Sequence, residues 1–509
     1  MNAPQITTPK ENPKMGKLKN FGFKHKAGIL MPISSLPSKY GIGSFGREAR
    51  SFVDFLSETG HKCWQVLPLN PTSYGDSPYQ SPASGAGNPY FIDLEILSSK
   101  GLLTKEELKD QKNNDKKVNY GWLFENRYKA LRKAFSRFKA NAEYRAFLRK
   151  NADWVESYAL FMALKVKNNY ASWTCWQENE RDCEQARENA KQHEGEMAFW
   201  RWVQFEFDSQ WQDIRAYAKK NGIVLIGDMP IYVAHDSADV WAARDQFLLD
   251  ENYNPTLVAG VPPDAFSETG QLWGNPIYNW EKMKNEGFNW WLNRIGRAFK
   301  LYDIVRIDHF RGFAGYYTIP FGEETAVNGR WNDAPGQELF ETVNRKFPSA
   351  KIIAEDLGVI TDDVKKLLAD NEFPGMKMLP FAFYDENSEY IPRNFKTENC
   401  VVYTSSHDSD CARSWVNDLT GYAKKLFNRE RKRIKGENNV YSVIRLAFES
   451  KANLAVVQMQ DYLNLNNEEG RMNMPSTATG NWGWRMSPRY NTKSLREKVS
   501  ALTKETKRR

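Results

Sequence analysis

The sequence predicts an α/β protein: a (β/α)₈ TIM barrel with inserted, largely helical subdomains between barrel strands and no separate C-terminal β domain. Three observations lead there. Eight short apolar runs are each closed by Gly, Pro or a polar cluster, the pattern of strands buried on both faces. Amphipathic helical patterns lie between several of them, and alternation of this kind favours a parallel sheet closed into a barrel. Several of the closing clusters carry carboxylates, as expected where a barrel gathers its chemistry at the carboxyl ends of its strands.

In chain order, the first strand lies in "AGILMPISS" from 27 and the second in "CWQVLPLNP" from 63. Between them "REARSFVDFLSETG" sets Ala49, Phe52, Val53 and Leu56 at helical spacing, with Gly60 as the stop. Residues 72–222 are too long for a loop. They open rich in Gly, Pro, Ser and Tyr and continue as "AFWRWVQFEFDSQWQDIRAYAKK", an inserted helical subdomain whose Trp residues serve packing rather than ligand binding. The third strand is in "IVLIGDMPI" from 223, and residues 232–303 form a second insertion. Within it, the Pro, Gly and Asn content of "AGVPPDAFSETGQLWGNPIY" argues against any regular element. The remaining strands lie in "DIVRIDHF" from 303, "KIIAEDLG" from 351, "MKMLPFAF" from 376, "CVVYTSSHD" from 400 and "LAVVQMQDYL" from 454. The division expected is a basic extension, 1–26, followed by a catalytic barrel, 27–509, with its two insertions.

Bulk properties exclude several classes. With 509 residues and 41% hydrophobic content, the chain has ample material for a large core. No apolar run reaches the roughly 20 residues of a membrane span, and the first 26 residues lack the apolar centre of a secretory signal. A cytoplasmic protein is expected, or a plastid one if the source is a plant, with the lysine-rich start read as an extension or a targeting remnant. Five scattered cysteines are odd in number and unsuited to a disulfide framework, so a reducing compartment and no zinc or other metal site are expected. Net charge is +8, but residues 1–26 contribute +5 and residues 485–509 contribute +7, leaving the body at −4. The basicity therefore reads as solvated tails, and the body carries no nucleic-acid footprint.

The carboxylates point to a reaction. Because side chains alternate along a strand, Ile304, Arg306 and Asp308 share one face while Val305 and Ile307 share the other. Arg306 is expected to favour the ionised form of Asp308. A second strand ends in "AEDLG" and a third in "SSHDSD", so acidic groups arrive at one rim from three strands. Such convergence is costly unless something cationic passes between them, and an oxocarbenium-like sugar centre is such a species. Glycosidases use one nucleophilic carboxylate and one protonated acid. Glu355 and Asp356 face opposite ways, and periodicity does not choose between them, since Ile353 and Ile352 sit on their respective faces. Aromatic loops such as "SYGDSPYQS" and "RGFAGYYT" suit stacking on sugar rings.

At this point a family becomes recognisable. "SSLPSKYGIGSFG", "YGDSPYQS", "GNPYFIDL", "GDMPIYVAHDSADVWA", "GVPPDAFSETGQLWGNPIY", "RIDHFRGF", "AEDLG", "SSHD" and "RMNMPSTATGNW" occur in order over about residues 27–486. Together they resemble the 4-α-glucanotransferases of the amylomaltase or disproportionating type, glycoside hydrolase family 77.

The resemblance implies a retaining, two-step transfer of an α-1,4-glucan segment to the 4-hydroxyl of another glucan or of glucose. Asp308 is then the nucleophile, Glu355 the acid and base, and Asp408 the stabiliser of the transition state, with Arg306 holding Asp308 ionised. The resemblance also implies a substrate-binding set. His309, His407, Tyr79 and Asp228 line the cleaved position, and Ser77 is a further substrate-binding residue. Asp264, Phe266, Gln271 and Trp273 belong to a mobile acceptor-side loop, Asn473 lines the donor site, and Tyr74 belongs to a remoter glucan surface. Expected partners are maltooligosaccharides, amylose, glycogen or starch, in a monomer or homodimer, without cofactor, nucleic acid or membrane. The alternative is an α-amylase-like hydrolase. One departure stands out: where the family pattern is closer to Thr-His-Asp-Asn-Asp-Thr, this chain has Ser406, His407, Asp408, Ser409, Asp410 and Cys411. That alters the surroundings of the third carboxylate, and a changed rate or chain-length preference is expected from it.

Overall fold

A computed structural model describes residues 22–264, 267–434, 439–477 and 479–509. In chain order its strands are β1 (Lys26–Leu30), β2 (Cys63–Gln65), β3 (Val224–Met229), β4 (Leu257–Val261), β5 (Gln271–Pro276) and β6 (Ile304–Ile307), then β7 (Gly315–Pro320), β8 (Arg330–Asp333), β9 (Ile352–Ala354), β10 (Gly375–Met378), β11 (Cys400–Tyr403) and β12 (Leu454–Gln458). Eight of these pair in parallel in the order β10-β11-β12-β1-β2-β3-β6-β9. Each falls in one of the eight apolar runs, and helices lie between most of them, so the (β/α)₈ barrel is the fold. The ends of the order meet at a seam, where Ala354 donates its N–H to the Pro374 carbonyl at 3.0 Å.

Local sequence explains the fit. Gly28 of β1 sits against Cys63 of β2, and a Cβ there would come 2.9 Å from the Cys63 Cβ. Outside the sheet, the helix Arg47–Glu58 buries Ala49, Phe52, Val53, Phe55 and Leu56. Phe52 meets Trp64 of β2 edge to face at 5.0 Å, and Gly60, at φ +83°, turns the chain out of the helix. Between β2 and β3 the chain is helical. Its longest helix, Glu194–Lys220, fully buries Trp200, Trp202 and Trp211. Trp211 also donates to the Leu301 carbonyl at 2.9 Å, so this indole ties the helix to the barrel wall.

Two expectations are corrected. The segment after residue 256 is regular: β4 and β5 pair antiparallel and join β7 and β8 in a second sheet, β5-β4-β7-β8. Its glycines act as sheet devices. The β4–β5 register shifts between Val258 and Gly260, where a Cβ would meet the Gln271 carbonyl at 2.2 Å, and Gly270 and Gly274 take φ of +68° and +76°. The basic C-terminus is also not a solvated tail. The helix Lys493–Glu505 buries Val499, Leu502 and Thr503, and fully buried Arg508 donates to the carbonyls of Lys26, Phe448, Ser450 and Ala452 below β1 and β12. The matching basic stretch at residues 1–21 lies outside the described residues. Among the described residues, no helix is long and apolar enough to cross a membrane.

Candidate active site

The ladder settles which side chains enter the barrel. Parallel partners share a face, and Asp228 of β3 pairs with Arg306 of β6, which pairs with Ile353 of β9. Two residues beyond Ile353, Glu355 lies on the same inward face, and Asp356 points outward. Periodicity left this choice open; registry to the neighbouring strand makes it.

Arg306 is buried beneath the rim and its guanidinium is divided. Nη1 reaches both oxygens of Asp228 at 2.6 and 2.7 Å, Nη2 lies 3.0 Å from Asp308 Oδ1, and Nε donates to the sulfur of Met376 at 3.5 Å. Arg306 favours the ionised Asp308, as expected, but it is not the largest influence there. Burial, together with the charges of Asp228 and Asp408, outweighs the shared guanidinium and pushes the Asp308 carboxyl up to about 6. Arg306 limits that rise; it does not reverse it.

Glu355 is held by two main-chain donors. Oε2 accepts the N–H of His309 at 2.7 Å and Oε1 that of Leu357 at 2.8 Å. His309 presents its N–H from a left-handed conformation, φ 46°, which costs a non-glycine residue roughly 1–2 kcal/mol. Burial first, then the neighbouring Asp308, raises Glu355 to about 7, while Arg306 and the two N–H groups pull the other way. Both carboxyls are thus held above the usual carboxylate range, and the pair titrates as a unit toward neutrality. Asp356, by contrast, bonds to the Met376 N–H across the seam at 2.6 Å.

On the opposite side, Tyr79 and His407 stack with ring centres 5.3 Å apart. The Tyr79 hydroxyl donates to Asp228 Oδ2 at 2.8 Å, and its oxygen takes a second bond from His407 Nε2 at 2.8 Å. The same Nε2 lies 3.0 Å from Asp408 Oδ2, and Asn473 Nδ2 donates to Asp408 Oδ1 at 2.7 Å. Desolvation works against the Asp408 charge, but the side chain stays 43% exposed, and His407, Asn473 and Arg306 prevail and hold the carboxyl at about 2. Asp408 is anionic wherever the other two carboxyls titrate. Trp273, on β5, sets its ring edge-on to His309 at 4.8 Å, with its own N–H on Gln271 Oε1 at 3.1 Å.

Most of the predicted residues therefore meet around one cleft. Ser77 contributes a turn, its hydroxyl accepting the Tyr79 N–H at 3.2 Å. Asp264 stands on the exposed connection between β4 and β5, where its carboxylate accepts the Ser267 N–H at 2.9 Å. Phe266 and the side chain of Tyr74 lie outside the described residues. Beside Asp408, Ser409 accepts the Ser406 N–H at 2.8 Å and so folds the turn that carries His407 and Asp408.

Three contributors were missed in the sequence: Trp482, tilted against Tyr79 at 5.6 Å; Met376, beside Arg306; and the N–H of Leu357. Trp482 stands at the end of "RMNMPSTATGNW", a usable signal; the other two act through contacts that carry no sequence signature. Among the described residues, no group of three or more His, Cys, Asp or Glu is placed to hold a metal ion.

Comparisons with known proteins identify the family. The family model for 4-alpha-glucanotransferase matches residues 31–492. A 4-alpha-glucanotransferase of Clostridium butyricum is 46% identical over 487 residues, covering 93% of this chain and 99% of its own, and one of Aquifex aeolicus is 45% identical over 472 residues, covering 92% and 96%. Among solved structures, an amylomaltase from Streptococcus agalactiae in complex with acarbose superposes with a TM-score of 0.91 at 40% identity, covering 95% of this chain and all of that one. The chain belongs to the 4-alpha-glucanotransferases of glycoside hydrolase family 77 and has their glycosyl-transferring activity.

Proposed function

We propose that this glucanotransferase works by double displacement, with Asp308 as nucleophile and Glu355 as acid and base. One observation carries the reading: two carboxyls stand just beyond adjacent barrel strands, β6 and β9, and His309, the residue next to Asp308, donates its main-chain N–H to Glu355. In the first step Asp308 attacks the anomeric carbon while Glu355 gives its proton to the leaving 4-oxygen; the glycosyl ester that forms keeps the segment on the enzyme. In the second, Glu355 takes the proton of an incoming 4-hydroxyl, and retention follows from two inversions. A retaining pair stands about 5–5.5 Å apart. Asp408 faces the sugar as a fixed anion and favours the oxocarbenium-like transition state, while Tyr79, His407, Asp228 and Asn473 bind the ring and its hydroxyls.

Substrates in this reading are maltooligosaccharides and longer α-1,4-glucans of the starch or glycogen type, with glucose as the smallest acceptor, in a cytoplasmic monomer or homodimer. The deciding experiment is incubation with maltotriose alone. A transferase yields glucose plus a ladder of longer chains, whereas accumulation of glucose and maltose with no longer product identifies a hydrolase. Trp273 supports transfer by its place beside His309, where an aromatic wall holds an acceptor sugar and excludes water. Trp273→Ala is expected to raise the ratio of hydrolysis to transfer several-fold; an unchanged ratio removes this role.

The pH dependence has a definite sign. Donor cleavage needs Asp308 ionised and Glu355 protonated, so kcat/KM for maltotriose rises with pH through about 6 and falls through about 7. The two apparent values belong to the pair, and the bell is narrow. Initial rates from pH 4 to 9 check it, and a plateau extending to pH 9 contradicts Glu355 as the acid.

A further inference from the structure

The geometry assigns Asp356 as a positioning residue: its outward carboxylate is the clasp that closes the barrel between β9 and β10, and through this it sets Glu355 relative to Asp308. The inference rests on the reading of Glu355 as acid and base.

Strands β9 and β10 end the sheet order, and no ladder joins them. Ala354 bridges the gap to the Pro374 carbonyl at 3.0 Å, and next along the seam the Met376 N–H finds Asp356 Oδ1, at 2.6 Å, in place of a main-chain acceptor. Room for this is made by Gly375, where a Cβ would lie 2.3 Å from Asp356 Oδ2. Outside the seam the connection from β9 to β10 carries the helix Asp362–Asp370, whereas between β10 and β11 the chain forms two short 3₁₀ turns, Leu379–Phe381 and Pro392–Asn394. A groove of about 880 Å³ there is lined in part by Asp356, Lys365, Phe373, Gly375 and Lys377. Within the seam itself a side chain, not a main-chain carbonyl, thus takes the Met376 N–H.

The clasp reaches both reactive groups. Glu355 is one peptide unit away. Asp308 is reached through Met376, whose main chain Asp356 holds and whose sulfur receives Arg306 Nε, the same guanidinium that bonds Asp308. The charges felt at Asp356 are those of Lys377 and Glu389; those felt at Glu355 are Asp308 and Arg306 of β6. Tyr390 stands within reach of Asp356, Glu389 and Glu355. Releasing the clasp lets β9 part from β10, admits water beside Glu355 and lowers its proton affinity.

The test uses Asp356→Ala, Asp356→Asn and Gly375→Ala, with kcat and KM for maltotriose across pH and the burst of fluoride from α-maltosyl fluoride. Fluoride leaves without a proton, so the burst reports Asp308 and not the acid. Asp356→Ala is expected to lower kcat at neutral pH by about 10–100-fold, the scale of a small misplacement. KM stays within a few-fold, the alkaline limb moves to lower pH, and the burst is nearly preserved. Asp356→Asn keeps an acceptor for the Met376 N–H and recovers most of kcat. Gly375→Ala, which pushes the carboxylate away, follows Asp356→Ala and serves if that variant does not fold. An unchanged alkaline limb in Asp356→Ala or Gly375→Ala, or equal losses on both donors without recovery in Asp356→Asn, overturns the assignment. Glu355→Gln is the control. If it too loses the fluoride burst, the acid/base reading itself fails; if it keeps the burst and the Asp356 variants show no shift, only the clasp is refuted.

Discussion

Asp308→Asn is expected to abolish transfer and hydrolysis together, lowering turnover of maltotriose by roughly 10⁴-fold or more, as removal of a covalent nucleophile does elsewhere. The amide matches the carboxylate in shape and cannot form the glycosyl ester. It also leaves the architecture standing: Nη1 of Arg306 stays bonded to both oxygens of Asp228, and the amide oxygen introduced at position 308 can still meet Nη2. The melting temperature should therefore stay close to that of the parent while activity disappears, which separates lost chemistry from lost folding. The decisive reading uses α-maltosyl fluoride. Since this donor needs no acid, a variant lacking only the nucleophile still fails on it, and no fluoride burst appears. A normal burst, or normal maltotriose turnover, moves the nucleophile to another residue.

Glu355→Gln is expected to fall by about 10³–10⁴-fold on maltotriose, at the upper end of what one general acid and base contributes. Its behaviour on the activated donor is the reverse of Asp308→Asn. Fluoride departs at a rate close to the parent's, and the enzyme then stalls, because no base removes the proton of the incoming hydroxyl. The stalled species is detected by intact mass as one maltosyl group bound to the protein, and proteolysis places it at Asp308. Azide, a small nucleophile that needs no base, restores turnover and gives a glycosyl azide of retained configuration. The glutamine keeps one oxygen for His309 N–H or Leu357 N–H, so the loop survives in part. Turnover of maltotriose within tenfold of the parent, or an azide product of inverted configuration, contradicts the assignment.

The two variants read different parts of one network. Asp308 shares its cation with Asp228, whereas Glu355 depends on main-chain donors from the turns after β6 and β9. The first arrangement could be suspected in the sequence, since Arg306 and Asp308 alternate on one strand. The second could not, because a backbone N–H has no residue identity to announce it. The small sheet shows the same limit from another side. Glycines and prolines read along the chain look like breakers, yet Gly260 permits a close approach to the Gln271 carbonyl and Gly270 and Gly274 take left-handed turns, so the same residues build a bulged hairpin once a partner strand is present. Arg508 gives a third case. Charge alone marks Arg508 as solvated, but the end of the helix Asn439–Glu449 and the loop after it offer the carbonyls of Phe448, Ser450 and Ala452, which its buried guanidinium satisfies.

By itself the sequence determined the eight buried strands, the alternation that sets Arg306 beside Asp308 on one face, and the arrival of acidic groups from three strands at one rim. These are consequences of a period of two and of apolar runs, which are local. Only the tertiary structure decided that Glu355 enters the barrel while Asp356 clasps its seam, that one guanidinium serves two carboxylates, and that Trp273 and Trp482 close on the cleft. Those outcomes depend on register and on which strands become neighbours, and the free energy that selects them comes from contacts between residues up to several hundred positions apart.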